Sequence, residues 1–361
     1  MRDSKLIEKQ QSDTINAIRF PLIILVLFIH MIGFEAKPIK LSLNVNDIYV
    51  FIAEMISHSL GAIAVPSFFL FSGYFFFKKM KKWDFRFYGR QLKNRYRTLL
   101  LPYVIWNILM ILAILVKDYA FLKIGFGGGG EIEMLKLTDW YQLLWGMPIN
   151  YPLWYLRDLI CMSAIAPLFY YYFKFLQSVG VIILLVLYFS LWESNVAGIS
   201  TTALTFFGLG SYFALSGQNL LKITMRIEKP AYVFTFVFLF LSTFFNGTFY
   251  HPYFVRILVL FGIISGLNLT RILIRNQRMK DLLIKLSPTV FFVYAIHEIY
   301  IINWLKGAVT HSPLGQSSWT MLLGYFIIPF ICLGICLGLY KLFRLVCPQV
   351  LSTCVGNRTI N

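Results

Sequence analysis

The chain has 361 residues, of which 58% are hydrophobic and only 14% charged, with a formal net charge of +17. Soluble globular chains carry about 25% charged residues, so this composition excludes a soluble fold, whose surface would lack polar cover, and excludes disorder, which needs the opposite balance. Nucleic acid is excluded as a partner too, because the basic residues cluster between apolar runs in the positive-inside pattern of membrane proteins.

A helical span takes roughly 20 apolar residues. The chain offers ten apolar runs, at 18–34, 48–77, 99–116, 153–173, 178–192, 201–216, 231–245, 252–270, 287–305 and 321–340, of which the fifth, sixth and seventh are short and open to a different pairing. They lack the alternation of a membrane barrel. The expected fold is therefore all-α: a polytopic membrane protein of about ten transmembrane helices. With the N-terminus in the cytoplasm, 24 Lys and Arg fall in inner segments and six in outer ones. That bias makes both termini cytoplasmic. Residues 1–15 and 347–361 read as cytoplasmic tails flanking a membrane domain at 16–346. No small-residue cleavage site follows the first apolar run, so the first span is expected to be retained.

Ionisable groups inside spans are costly and hence functional candidates. The first span places Arg19 and His30 eleven residues apart, which is about three turns, so both share one helix face. Their separation along the axis is roughly 16 Å. A guanidinium there can clamp a phosphate or anchor at the interface. An imidazole can take a proton near neutral pH or hydrogen-bond another helix.

The second span is too long for one straight helix, and Gly61 and Pro66 invite a break inside it. In it, Glu54 and His58 are four apart and can pair. It ends in an aromatic run holding Ser72, Gly73 and Tyr74, where small residues allow close backbone approach. The next segment holds nine basic residues between Lys78 and Arg97, with Arg95 and Arg97 last. Anionic lipid headgroups and a cytoplasmic polyphosphate suit it equally.

Four glycines at 127–130 read as a hinge in the longest outer segment. The fourth span opens with Trp154, Arg157 and Asp158. Adjacent residues point apart on a helix, so the partners of Arg157 and Asp158 are expected on other spans. The ninth span carries His297 and Glu298 at a depth comparable to His30. The five cysteines show no metal-binding spacing, so no metal is expected.

These segments together resemble the acyltransferase 3 family of integral-membrane acyltransferases. The match rests on Arg19 and His30, on the run Phe68 to Tyr74, on the basic segment leading into Leu101-Pro102-Tyr103, on Leu153 to Leu156, and on Phe291 to His297. It covers about residues 12–346. The resemblance implies transfer of an acyl group, usually acetyl, from cytoplasmic acyl-coenzyme A to a hydroxyl of a surface polysaccharide or lipid-linked sugar. No cofactor is held; acyl-CoA is a co-substrate. His30 is implied as catalytic, with His297 and Glu298 as its partners. Arg19, Ser72, Gly73, Tyr74, Arg95 and Arg97 fall on the donor side, and Glu54, His58, Trp154, Arg157 and Asp158 on the acceptor side. Membrane lipid, the donor and a glycan are the implied partners, a homodimer stays open, and the bacterial inner membrane is the implied location. The competing reading is a transporter or flippase for a polymer precursor, using the same buried charges as a polar pathway.

Overall fold

A computed structural model describes residues 2–358 except 40, 41, 43, 81, 126–130, 132, 134, 136 and 137, with backbone only for 2–5. The four-glycine hinge and Lys81 lie outside the described residues. Among the described residues, all the regular secondary structure is helical. The first helix, α1 (Arg2–Ile29), starts well before the expected span. The segment read as a tail is part of that helix, and its Gln11 side chain accepts a hydrogen bond from the Leu221 amide at 3.2 Å.

The second span runs from α2 (Val45–Glu54) through a π-helical stretch (Met55–Leu60) and a 3₁₀ turn (Gly61–Ile63) into α3 (Ala64–Phe77). The break expected near Gly61 is thus a change of helix type in a continuous rod. The basic segment is also helical. Asp84 caps α4 (Phe85–Arg95) by accepting from the Phe87 amide, and a π stretch joins it to α5 (Leu101–Lys123). We call the end carrying α4 the basic end, and the opposite one the far end.

After α6 (Trp154–Ala164), α7 (Ala166–Phe189) is two arms of a hairpin. Its Gln177 has φ 46° and ψ −125°, outside any helical region. A Cβ placed on Gly208 would lie 3.1 Å from Phe169 and 2.6 Å from Leu184. Fifteen residues of straight helix would hold those two side chains about 22 Å apart, so the chain reverses at Gln177. This matches the boundary between the fourth and fifth expected spans.

The remaining elements are α8 (Thr201–Leu215), α9 (Leu220–Arg226), α10 (Glu228–Phe244), α11 (His251–Leu273), α12 (Gln277–Leu286), α13 (Val290–Ile296), α14 (Ile302–Thr310), α15 (Ser318–Val346) and α16 (Pro348–Cys354). Among the described residues, seven helical stretches have the length and apolar content to cross a membrane, α7 among them only if its two arms are counted as one, and α9 with α10, bent by 77°, makes an eighth. The ten apolar runs are all helical, but α8 is 15 residues long and α6 only 11. Those runs cross, if at all, as short or broken pieces. The tightest crossing is α3 on α8. A Cβ on Gly73 would meet the Phe207 carbonyl, and one on Gly210 the Leu70 carbonyl, so the two backbones touch where only glycine fits.

Candidate active site

Three cations converge near the basic end. On α1, Arg19 lies over the Phe75 ring, 5.6 Å from its centroid. The Arg95 guanidinium, at the end of α4, lies 5.6 Å from the Phe76 ring centroid. The third, Arg358, comes from the segment read as a C-terminal tail. Pro348 starts α16, and the indole of Trp106 donates to the Cys354 carbonyl at 2.9 Å. Gly356 and Asn357 then take positive φ, 61° and 60°. A Cβ on Gly356 would sit 2.7 Å from the Thr98 backbone. This hook turns Arg358 over the Phe291 ring, 4.5 Å from its centroid.

The three guanidiniums line one cavity of about 340 Å³ with Ser72, Tyr155 and Tyr294. Among the described residues none of the three has a carboxylate within 4.0 Å. The Arg95 Nε is buried without any partner. Burial, then repulsion from Arg19 and Arg95, pulls Arg358 down to about 10, so it is still a cation at neutral pH. Three gathered and unneutralised charges are costly. A multiply charged anion is the ligand that would offset them.

The cavity lining stops at Ile23 and Tyr294, so neither His30 nor His297 lines it. Tyr294 is one turn before His297, and their rings are 6.5 Å apart. His297 is 0% exposed. Its Nδ1 is 3.0 Å from the Val293 carbonyl, so Nδ1 carries the hydrogen, and Nε2 is buried without a partner. The His30 ring stands 4.9 Å from the His297 ring, edge to face. Nδ1 of His30 is 2.8 Å from Glu298 Oε1, leaving Nε2 as the imidazole's open nitrogen. Asn303 holds the other Glu298 oxygen at 2.9 Å, and Lys306 donates to the His30 carbonyl at 2.6 Å.

Neighbours on a helix normally diverge by about 100°. Here His297 opens a π stretch (His297–Ile301) whose Tyr300 has φ 63°. His297 itself keeps α geometry, and the backbone departs from it only at Ile299 and Tyr300, just after the pair; the glutamate side chain is long enough to reach back to His30. Such π segments recur at functional sites. The nearest ligand atoms of His30, His297 and Glu298 lie within 4.8 Å of one another, a spacing a divalent ion could also exploit.

The structure thus brings together His30, His297 and Glu298, and separately Arg19, Arg95 and Ser72. Three residues expected on the donor side do not line the cavity. Gly73 is spent on the contact with α8. Tyr74 is buried and its ring faces Lys78, with Nζ 5.5 Å from the centroid. Arg97 is exposed. The expectation that Arg157 and Asp158 pair with other spans is also corrected. The long Arg157 side chain curls back, and its Nε and Nη2 bond Asp158 Oδ1 at 3.0 and 2.8 Å. Its Nη1 donates to the Trp145 and Gly146 carbonyls at 2.8 and 2.6 Å.

The acceptor-side set falls in two places. Arg157 and Asp158 border a small polar cavity with Glu193 and Ser194. Glu54 pairs with His58 at 2.7 Å and borders a different one at the far end of α1. Trp154 is half-buried against the core. Arg358 is the site residue that sequence reasoning missed. The signal for it is Gly356-Asn357, two residue types that tolerate positive φ, just before an arginine.

Comparison with known proteins bears on this geometry. A family sequence model described as an acyltransferase domain matches residues 13–341. The succinoglycan biosynthesis protein ExoH of Rhizobium meliloti (strain 1021) is 26% identical over 366 positions, covering 96% of this chain and 93% of that one. No solved structure matches.

Proposed function

Since the chain belongs to the acyltransferase 3 family and is a multi-pass membrane acyltransferase, we propose that its donor is acyl-coenzyme A, carrying acetyl, and its acceptor a hydroxyl of a surface polysaccharide precursor. The observation that carries the donor is the convergence of Arg19, Arg95 and Arg358, without carboxylate partners, on one cavity. Coenzyme A carries a pyrophosphate and a ribose 3′-phosphate, the multiple charge such a site needs. The Lys and Arg bias favours a cytoplasmic basic end, where this donor is found. The acceptor class is supported by the similarity to a succinoglycan biosynthesis protein. In a bacterium the membrane is the inner one.

The thioester enters past Tyr294 toward His30. The pair of His30 Nδ1 with Glu298 fixes the imidazole and leaves Nε2 free to act as a general base. Nε2 takes the acceptor's hydroxyl proton while its oxygen attacks the thioester carbonyl. The new C–O bond forms, the C–S bond breaks, and the proton passes to the departing sulfur, giving the thiol. Glu298 stabilises the imidazolium in between. His297, donating to the Val293 carbonyl, packs edge to face with His30.

The test is transfer of radiolabelled acetyl from acetyl-coenzyme A to a desalted oligosaccharide by the purified protein in detergent micelles. Label in the sugar, in the absence of any sealed compartment, supports the reading. No transfer to any hydroxyl acceptor, with label moving only across sealed vesicles, would replace it with transport.

A further inference from the structure

We propose that the cavity at the far end of α1 is a carbohydrate acceptor site built for a neutral, hydroxyl-rich sugar, with Asn246 and Glu54 as its buried anchors. The inference rests on the acyl-transfer reading and names the substrate class of that reaction.

The cavity begins two residues past His30, at Ile32 and Gly33, and has a volume of about 490 Å³. It therefore lies on the other side of His30 from the arginine cavity, which ends on α1 at Ile23. A donor chamber along the middle of α1 and an acceptor chamber just past its C-terminal end, with His30 between them in the chain, suit a transfer across the membrane.

Its chemistry is one-sided. Glu35, Asp47, Glu54 and Asn246 border it, with Tyr49 on its wall. Among the described residues the one cation there, Lys37, is held by Glu35 at 2.8 Å. Glu54 and Asn246 are buried, Asn246 to 2% exposure. The Asn246 amide donates to the Glu35 carbonyl and to Glu54 Oε1, each at 3.0 Å. Both partners are acceptors, so the nitrogen must face them and the oxygen must face away. That oxygen, Asn246 Oδ1, is buried with no partner, an unmade hydrogen bond of the kind that asks for a ligand. The anchors are held rigidly. Glu54 Oε2 binds His58 Nδ1 at 2.7 Å. Gly247, at φ 73°, lets the Ala36 backbone come within 2.9 Å of where a Cβ would sit.

A wall of acceptors beside an aromatic ring selects a ligand rich in hydroxyl donors. The carboxylates work against any anionic sugar, so a uronic acid is disfavoured. The experiment is ligand-observed saturation-transfer NMR on the full-length protein in lipid nanodiscs, without nucleotide. The probes are methyl β-D-glucopyranoside and methyl β-D-glucuronide at pH 7. We expect the neutral glycoside to bind and the glucuronide to bind at least about tenfold more weakly, the cost of a like-charge contact near a protein surface. Asn246→Leu should abolish the neutral signal. Asp47→Asn, a rim change that leaves the buried anchors in place, should narrow the gap between the two probes. Equal binding of both probes, no binding of either, or unchanged binding in both variants would overturn the proposal. Because the donor is absent, these outcomes leave the acetyl-transfer result untouched, so the two readings fail separately.

Discussion

Arg358→Ala is the most informative perturbation of the donor cavity. The guanidinium is placed by a short hook after α16, distant in sequence from Arg19 and Arg95. A hydrogen bond to a charged partner contributes roughly 1.5–3 kcal/mol. Removing one should weaken coenzyme A binding by about 10- to 150-fold at 1.4 kcal/mol per decade. Arg19 and Arg95 repel Arg358 in the empty cavity. Its loss relieves that repulsion, which places the expected effect toward the tenfold end. For the same reason the empty variant should melt no lower than the parent, while its stabilisation by coenzyme A shrinks. Arg358→Lys keeps the charge but loses the planar fork and should fall between them. Isothermal titration with coenzyme A, set beside melting curves with and without ligand, measures each quantity. An unchanged dissociation constant in Arg358→Ala would refute the reasoning, since a guanidinium on that cavity wall could not then be touching the donor.

Glu298→Gln should lower kcat by about 10²–10⁴-fold with little change in the donor KM, because the amide can hold the imidazole but cannot stabilise its charge; steady-state kinetics at fixed acceptor would show a KM effect instead if Glu298 served donor binding. Gly73→Ala should cost about 1–3 kcal/mol through collision with the Phe207 carbonyl, seen as a lower Tm; loss of coenzyme A affinity at unchanged Tm would return Gly73 to the donor site. Metal analysis of the purified protein should find no stoichiometric zinc, and chelation should leave activity intact; one tightly held ion per chain, with activity lost on its removal, would make His30, His297 and Glu298 a metal centre rather than a proton relay.

The apolar runs were readable because hydropathy marks them and each became helix, including the boundary at Gln177, where the hydropathy gap near 173–178 marked a reversal. The shared face of Arg19 and His30 followed from helical periodicity alone. The pairing of His30 with Glu298 was approachable only as a matter of depth, since helix periodicity fixes Cβ directions and not where a long glutamate side chain ends. Gly73 shows the reverse problem. The same residue lets a ligand or a neighbouring helix approach, and only the position of Phe207 decides between them. Arg157 and Asp158 were misjudged because ideal helix geometry describes Cβ directions, and a long arginine can bend back to its neighbour. Arg358 was missed for a topological reason: Gly356-Asn357 marks a turn, but nothing local states that the segment docks against Thr98 and Trp106.

The central claim is that the imidazole of His30, held by Glu298 between a cationic cavity and the far end of the bundle, moves the proton in acyl transfer. The direct measurement is acetyl transfer by purified His30→Ala, with coenzyme A binding recorded on the same preparation. The account predicts intact binding and a transfer rate lower by about 10²–10⁴-fold. Transfer near the parent's rate, from protein that binds coenzyme A normally, would contradict it.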